Sequence, residues 1–265
     1  MRPLHIIACV KVVPRPEEVR VNTETWTIQR DGVRSEINPP DMNALETALT
    51  LKERHGGKVT VVAMGPPMFV LYLRLALAMG ADEAYLLSDR AFAGADTLAT
   101  SYTLAQGIRK IGDYDLILCG EESSDGATAQ VPPGIAEWLN AAQITYAEDL
   151  EVLPGLGMVK ARRELTGGYE VIQAPLPCVA SVKVGANEPR FMDMERKAWA
   201  EAEGPLTVWT AADIDVDPEM IGLPGSPTIV DGVAQAEASE RKREFLAGTP
   251  EEQAQALVER LRAYM

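Results

Sequence analysis

Residues 117–139 read ILCGEESSDGATAQVPPGIAEWL, and the fold turns on this stretch. The mostly apolar run 115–119 reads as a short buried strand that breaks at Gly120 into a loop of small polar residues. An amphipathic helix follows. Pro132 and Pro133 sit at its start, where a missing N–H costs nothing and the fixed φ suits a first turn. Loop N–H groups, the Ser124 and Thr128 hydroxyls and the helix N-terminus then converge on one spot. Unpaired donors and the positive end of the helix dipole suit that spot to a phosphate or diphosphate. A capped helix after a strand, with no ligand, fits the bare pattern equally well.

The same strand-then-helix beat recurs upstream. The near-continuous apolar run 6–13 is typical of a strand buried on both faces of a parallel sheet. Segment 41–54 (DMNALETALTLKER) places Met42, Leu45, Ala48 and Leu49 on one helical stripe, with Asp41 as its cap. A second buried strand spans 58–64 and ends in Gly65-Pro66. Segment 69–79 is helical and apolar on nearly all sides, as expected between layers. A third strand, 83–87, precedes a helix over 96–111 started by Asp96-Thr97; the fourth strand is 115–119 and its helix 131–141. Repeated units of this length imply an α/β fold, a doubly wound, mainly parallel, Rossmann-like sheet with helices on both faces. Ligands in such sheets gather at the carboxyl ends of the strands, where Cys9, Met64, 88–95 and 120–130 fall.

Three segments leave this rhythm. Segment 21–37 alternates polar and apolar residues around Asp31-Gly32, a hairpin signal. Segment 149–184 is β-rich, with strands at 149–153, 158–163, 169–173 and 179–184 and a turn at Gly167-Gly168. From Gly204 onward Pro and Gly accumulate, and 222–228 (GLPGSPT) fits no regular structure. The expected division is an α/β domain over 1–203 and, over 204–265, an extended arm packing on a partner subunit. Within that arm a closing amphipathic helix spans 251–264, capped near Thr249 with Pro250 at N1. Ordering such an arm costs roughly 1–2 kcal/mol per residue, which a partner surface would offset. A partly disordered tail is the alternative.

Composition narrows the function. The chain has 265 residues, 46% of them hydrophobic, with a formal net charge of −14. That charge argues against nucleic acid or an anionic membrane as partner. Cys9, Cys119 and Cys178 all lie in apolar, strand-like runs and read as reduced core thiols of a cytoplasmic protein. With no CxxC pair and only His5 and His55, far apart in sequence, a zinc site or a Ser–His–Asp triad is not expected. Segment 1–13 lacks the pattern of a secretory leader. The most apolar window, 59–81, is broken by Gly65-Pro66-Pro67 and carries Arg74, so no membrane insertion is expected.

Several motifs then coincide in order: Cys9-Val10-Lys11, Ile37-Asn38-Pro39, Met64-Gly65-Pro66 and Leu77-Ala78-Met79-Gly80-Ala81-Asp82. They continue through 120–130, Arg163-Glu164 with Gly167-Gly168, and Asn187-Glu188-Pro189-Arg190. The set resembles the β subunit of the electron-transfer flavoproteins, over at least 4–230. Segment 165–177 (LTGGYEVIQAPLP) matches that family's signature except at Thr166, where an acidic residue is usual.

The resemblance implies an adenine nucleotide α-hydrolase-like fold and an adenine-nucleotide site, with the redox FAD held mainly by a larger α subunit. In one branch of the family the β-subunit site holds structural AMP. In the electron-bifurcating branch it holds a second FAD that takes a hydride from NADH. Carried over, the site comprises Cys9, Asn38, Pro39, Pro40, Asp41, Met64 and the run Asp125, Gly126, Ala127, Thr128, Ala129, Gln130, Val131, Pro132, Pro133, Gly134, Ile135 and Ala136. Two features are similar to the bifurcating branch: 125–133 (DGATAQVPP), and 87–101 (LSDRAFAGADTLATS), where Asp96, Thr97 and Thr100 would lie against the second flavin's phosphates. The run Glu121-Glu122-Ser123-Ser124 departs from the family's Lys-Gln-Ala-Ile type, losing a positive charge near the phosphates. Ala127, in place of an aspartate, partly offsets this.

Arg163 and Glu164 match a pair whose glutamate, in the family, helps orient the mobile flavin domain across the subunit boundary. Segment 190–198 (RFMDMERKA) aligns with the loop that docks on the dehydrogenase, with Arg190 at its start and Met192 or Met194 as anchor. The implied partners are the α subunit, an acyl-CoA dehydrogenase-type flavoenzyme, and ferredoxin or flavodoxin. A non-bifurcating carrier with AMP is the alternative within the family. A stand-alone adenine-nucleotide module is the alternative outside it, although the chain has no GxxxxGK[ST] loop.

Overall fold

The computed structural model describes residues 3–15, 20–22, 27–29, 34–229 and 243–262. They fall into two compact units, Met1–Gly232 and Val233–Met265. In the first, strand β1 (Leu4–Cys9) is flanked by β6 (Gly57–Met64) and β8 (Leu116–Gly120), both parallel to it. Beyond β6 lie β7 (Glu83–Leu87) and then β13 (Leu206–Trp209), again parallel. Beyond β8 lie β12 (Cys178–Val182) and β9 (Ala142–Leu153), still parallel. Two antiparallel strands, β10 (Met158–Leu165) and β11 (Gly168–Pro175), extend that edge. The sheet order is β11-β10-β9-β12-β8-β1-β6-β7-β13, mainly parallel and α/β as expected. Small ladders pair β2 (Val12–Pro14) with β5 (Ser35–Ile37) and β3 (Arg20–Asn22) with β4 (Thr27–Gln29). The expected hairpin about Asp31-Gly32 is therefore corrected: among the described residues the strands on either side of it, β4 and β5, pair with β3 and β2 and not with each other, and the turn residues themselves lie outside the described residues.

Alternation along β1 assigns its side chains to two cores. Leu4, Ile6 and Ala8 pack with α1 (Pro39–His55), α2 (Val70–Met79) and α5 (Met194–Ala202) through Leu45, Leu49, Leu73, Leu77 and Ala200. Ile7 and Cys9 face α3 (Thr97–Ile111) and α4 (Val131–Leu139) through Tyr102, Ile108, Ile135 and Ala136. Helices therefore cover both faces. The strand order reverses at β1, so the crevice between the carboxyl ends of β1 and β8 is a topological switch point.

Several boundaries differ from the sequence reading. The apolar run 6–13 is two strands, because at Lys11 the backbone turns out of the ladder to meet Asn38 and Asp41. Helix α1 starts at Pro39 with Asn38 at its N-cap, so Asp41 is not the cap but a buried residue of the first turn. Strand β9 covers twelve residues, beginning at Ala142 instead of 149, and buries Ile144, Ala147, Leu150 and Val152. Tyr146 lies in it at φ 56, and the pairing with β12 slips between Ala180 and Val182, so the period-2 pattern is interrupted.

The stretch from Gly204, expected as an extended arm packing on a partner subunit, packs in part on this chain's own sheet. Leu206–Trp209 forms the β13 edge, with Trp209 against Tyr85 at 4.4 Å between ring centroids. Segment 221–228 then closes over the loop after β7: Leu223 N–H donates to Ala93 O at 3.0 Å, and the buried Ser226 hydroxyl donates to Gly222 O. In the second unit α6 (Pro250–Arg262) carries the expected Thr249 cap, whose hydroxyl accepts from Glu252 N–H at 3.3 Å.

Candidate functional site

At the switch point the strand ends are held by one carboxylate. Asp41 Oδ2 accepts from Lys11 N–H at 2.7 Å and its Oδ1 accepts from Gly120 N–H at 2.9 Å. The first turn of α1 is thereby fixed to the ends of both β1 and β8. Gly120 is required there, since a Cβ at that position would meet Asp41 Oδ1 at 2.3 Å and its backbone N at 2.7 Å. Burial pushes the Asp41 carboxyl up to about 7, against the opposing effects of its N–H donors, Asn38 and the Lys11 charge. Beneath it the thiols of Cys9 and Cys119 meet side by side. That contact and burial push the Cys119 thiol well above its ordinary value.

Asn38 ties the loop after β8 to the same point. Its side-chain NH₂ donates to Glu122 O at 2.8 Å, and its Oδ1 accepts from Ser124 N–H at 3.0 Å. The loop then passes through two non-glycine residues in the left-handed region, Ala127 at φ 46 and Ala129 at φ 53. Such backbone is strained, and it leaves Thr128 exposed at the apex. Gln130, exposed at the start of α4, accepts from Thr97 Oγ1 at the start of α3, at 2.8 Å. The two helix N-termini are thus joined side by side. Close packing of α3 on α4 depends on Gly134, where a Cβ would meet Ser101 Oγ at 2.6 Å. Pro132, Ile135 and Ala136 are buried and anchor α4, so of the run 125–136 its first half is the part that faces outward.

The expected second cluster divides. Thr97 and Thr100 are partly exposed. Asp96 is committed internally: Oδ1 accepts from Leu98 and Ala99 N–H, while Oδ2 accepts from the Thr228 hydroxyl at 2.7 Å and its N–H at 3.1 Å. Burial raises its carboxyl, but the Thr228 hydroxyl and the N–H donors outweigh that and hold it below the ordinary range. Asp96 is therefore the hinge between α3 and segment 226–228. Met64 closes β6 beside this region, half-buried.

Lys11 is the residue the sequence reading left out of the site. Its Nζ crosses to the loop, donating to Ser123 Oγ at 3.2 Å and pairing with Asp125 Oδ1 at 2.5 Å. A cationic residue two positions beyond a strand-end cysteine was the available signal. Glu121 turns away, its Oε1 accepting from Val184 N–H at 2.9 Å.

The remaining residues lie elsewhere. Arg163 donates to Glu170 and to Thr145 Oγ1, both at 3.0 Å, whereas Glu164 pairs with Lys183. Arg190 is bound to α1, pairing with Glu46 at 2.8 Å and with Glu53. The segment expected as a loop carries α5 from Met194 onward, because Asp193 caps it by accepting from Arg196 N–H at 2.8 Å. Before it Phe191 is 97% exposed and Met192 40%, and Met194 at its first position is 69% exposed, so the most prominent apolar side chain here is Phe191, which the sequence reading does not single out. Among the described residues no helix is long and apolar enough to cross a membrane, and no group of three or more His, Cys, Asp or Glu is placed to hold a metal.

Comparison with known sequences shows the family. The pattern described as "Electron transfer flavoprotein domain" matches residues 25–214. The chain is 48% identical over 227 residues to the electron transfer flavoprotein subunit beta of Clostridium acetobutylicum, covering 86% of each chain. It is 47% identical over 228 residues to the caffeyl-CoA reductase-Etf complex subunit CarD of Acetobacterium woodii, again covering 86% of each. To protein FixA of Azotobacter vinelandii it is 45% identical over 249 residues, covering 92% of this chain and 88% of that one.

Proposed function

The chain belongs to the electron transfer flavoprotein family, as a β subunit, and from that premise we propose that its switch-point crevice seats an adenine dinucleotide, FAD. The observation that carries this reading is the Thr97–Gln130 hydrogen bond, which sets two helix N-termini side by side at one crevice. One such terminus serves a single phosphate; two adjacent ones, with Thr128 exposed in the loop that leads into α4, suit a diphosphate-linked ligand. The likeness to CarD, named as part of a reductase-Etf complex, favours the same branch.

When bound, the flavin supplies the redox chemistry: hydride acceptance from NADH and electron donation to ferredoxin or flavodoxin and, through the α-subunit FAD, exchange with an acyl-CoA dehydrogenase-type enzyme. The residues of this chain bind and orient. Asn38 and Asp41 fix the loop and the crevice floor; Met64 offers a soft surface to the adenine, while the buried Cys9 thiol packs beneath that floor; Thr128 and Gln130 offer side-chain donors to phosphate. Phe191, Met192 and Met194 present an apolar docking knob beside the rigid Arg190–Glu46 pair, and Glu164 lies at the β10 end for contact with the α subunit.

The test is the nucleotide content of the co-expressed heterodimer, released by acid and separated by chromatography. Two FAD and no AMP is the expected result. One FAD with one AMP makes this a non-bifurcating carrier, and no nucleotide beyond the α-subunit FAD refutes the site. Thr128→Ala and Gln130→Ala are expected to lower retention without unfolding the sheet.

A further inference from the structure

The loop after β8 carries two glutamates where a cation was expected, yet a phosphate seat in a chain of charge −14 needs local positive charge. The fold supplies it from β1. Lys11 is held at both backbone ends, its N–H by Asp41 Oδ2 at 2.7 Å and its carbonyl by Asn38 N–H at 2.9 Å. Its position at the strand end is therefore fixed, while its four-carbon stem remains free to swing. The ammonium bridges the seam between β1 and the loop 121–130, resting on Ser123 Oγ and Asp125 Oδ1, and the side chain is still 47% exposed. Ser123 O in turn accepts from Ala127 N–H at 2.7 Å, so the Lys11 contacts lie within the turn that presents Thr128.

We propose that Lys11 is the phosphate-binding cation of the crevice, and that Asp125 is its resident counter-ion, exchanged for a nucleotide phosphate on binding. The inference rests on the nucleotide reading above. Without ligand the ion pair keeps the loop closed on β1 and spares Lys11 an unpaired charge beside buried groups. A phosphate brings more charge than one carboxylate and three acceptor oxygens, so it competes for the ammonium; a neutral nucleoside does not. The exchange makes the site discriminate nucleotides from nucleosides through one side chain. Glu121, turned toward Val184 N–H, leaves that exchange unopposed from its side of the loop.

The test uses the full chain co-expressed with its α subunit and freed of exchangeable nucleotide, with adenosine, AMP and ADP as probes in calorimetric titrations. Lys11→Met is expected to weaken AMP and ADP about tenfold to a hundredfold, the range for loss of a charged hydrogen bond, and to leave adenosine within about twofold. Lys11→Arg should keep most of the affinity. Asp125→Asn should hold or tighten AMP binding, because it frees the cation. Raising KCl should weaken AMP binding more steeply in the wild type than in Lys11→Met. If Lys11 were only a brace for the loop, Lys11→Met and Asp125→Asn would weaken all three probes alike, and that result overturns the proposal. Unchanged AMP affinity in Lys11→Met overturns it as well. A wild type that binds none of the probes overturns the nucleotide reading itself, and this inference with it.

Discussion

Asp41→Asn is the substitution that interrogates the crevice floor most directly. In the native chain burial raises the Asp41 carboxyl from 3.8 to about 7, while the unfolded chain returns it to its ordinary value. Between those values the folded state holds a proton that the unfolded state has lost, so stability falls as pH rises, by about 1.4 kcal/mol per unit. Over the whole window this amounts to roughly 4 kcal/mol, present as a penalty above pH 7 and absent below pH 4. The asparagine does not titrate. It keeps one oxygen for one of the two strand-end N–H groups and leaves the other facing an NH₂, a constant cost of about 1–3 kcal/mol. The wild type should therefore lose about 2 kcal/mol relative to the variant between pH 5 and pH 7, less than the full slope because the native carboxyl is half titrated at the upper end. Urea unfolding of both nucleotide-free proteins at matched pH, followed by tryptophan fluorescence, measures this difference while the other carboxylates cancel. A difference that stays the same at both pH values would show that the N–H donors fully offset burial, and the reasoning would be wrong.

Gly134→Ala should destabilise by about 1–3 kcal/mol, because its methyl meets Ser101 across the α3–α4 contact; adding Ser101→Gly should recover much of the loss in a thermal melt. Arg190→Ala leaves Glu46 nearly buried without its guanidinium and should cost about 2 kcal/mol, the exposed Glu53 pair adding little. Burial raises the Glu46 carboxyl but Arg190 outweighs it and holds it low, so that contribution is present above the ordinary glutamate value and fades as pH falls through the native one; a wild-type-minus-variant gap that persists in acid would contradict it. Replacing Phe191, Met192 and Met194 together by Ala should slow electron exchange with the dehydrogenase while leaving the melting temperature within a degree or two; unchanged rates would remove the docking assignment.

The parallel sheet was legible because each buried strand is an apolar run and each helix an amphipathic stripe, so β1, β6, β7 and β8 with their helices fall where the pattern places them. The loop 120–130 was legible for a related reason: Gly120 and the two prolines mark where regular structure stops and restarts. Local pattern failed where a residue's partner is distant. Asp41 reads as a helix cap until Gly120, 79 residues on, is seen to donate to it. Lys11 reads only as part of the first strand until its ammonium meets Asp125, 114 residues away. The contact of Asp96 with Thr228, 132 residues on, is likewise invisible to local pattern. Helix α5 is hard to read because it is short and four of its nine residues are charged, its packing resting on Ala200 and on the half-buried Trp199.

Strand β12 lies between β8 and β9 yet follows β9, β10 and β11 in sequence. Among the described residues, every ladder hydrogen bond between the parallel body and the β9–β11 wing runs through it. A nascent chain that has emerged as far as Pro175 thus has eleven of the thirteen strands found among the described residues and no continuous sheet. Until Cys178–Val182 arrives, β8 and β9 each present an open edge of unpaired backbone. For this polypeptide the hazardous interval of synthesis is set by when one five-residue segment clears the ribosome, and faster docking of that segment shortens exposure of two edges at once.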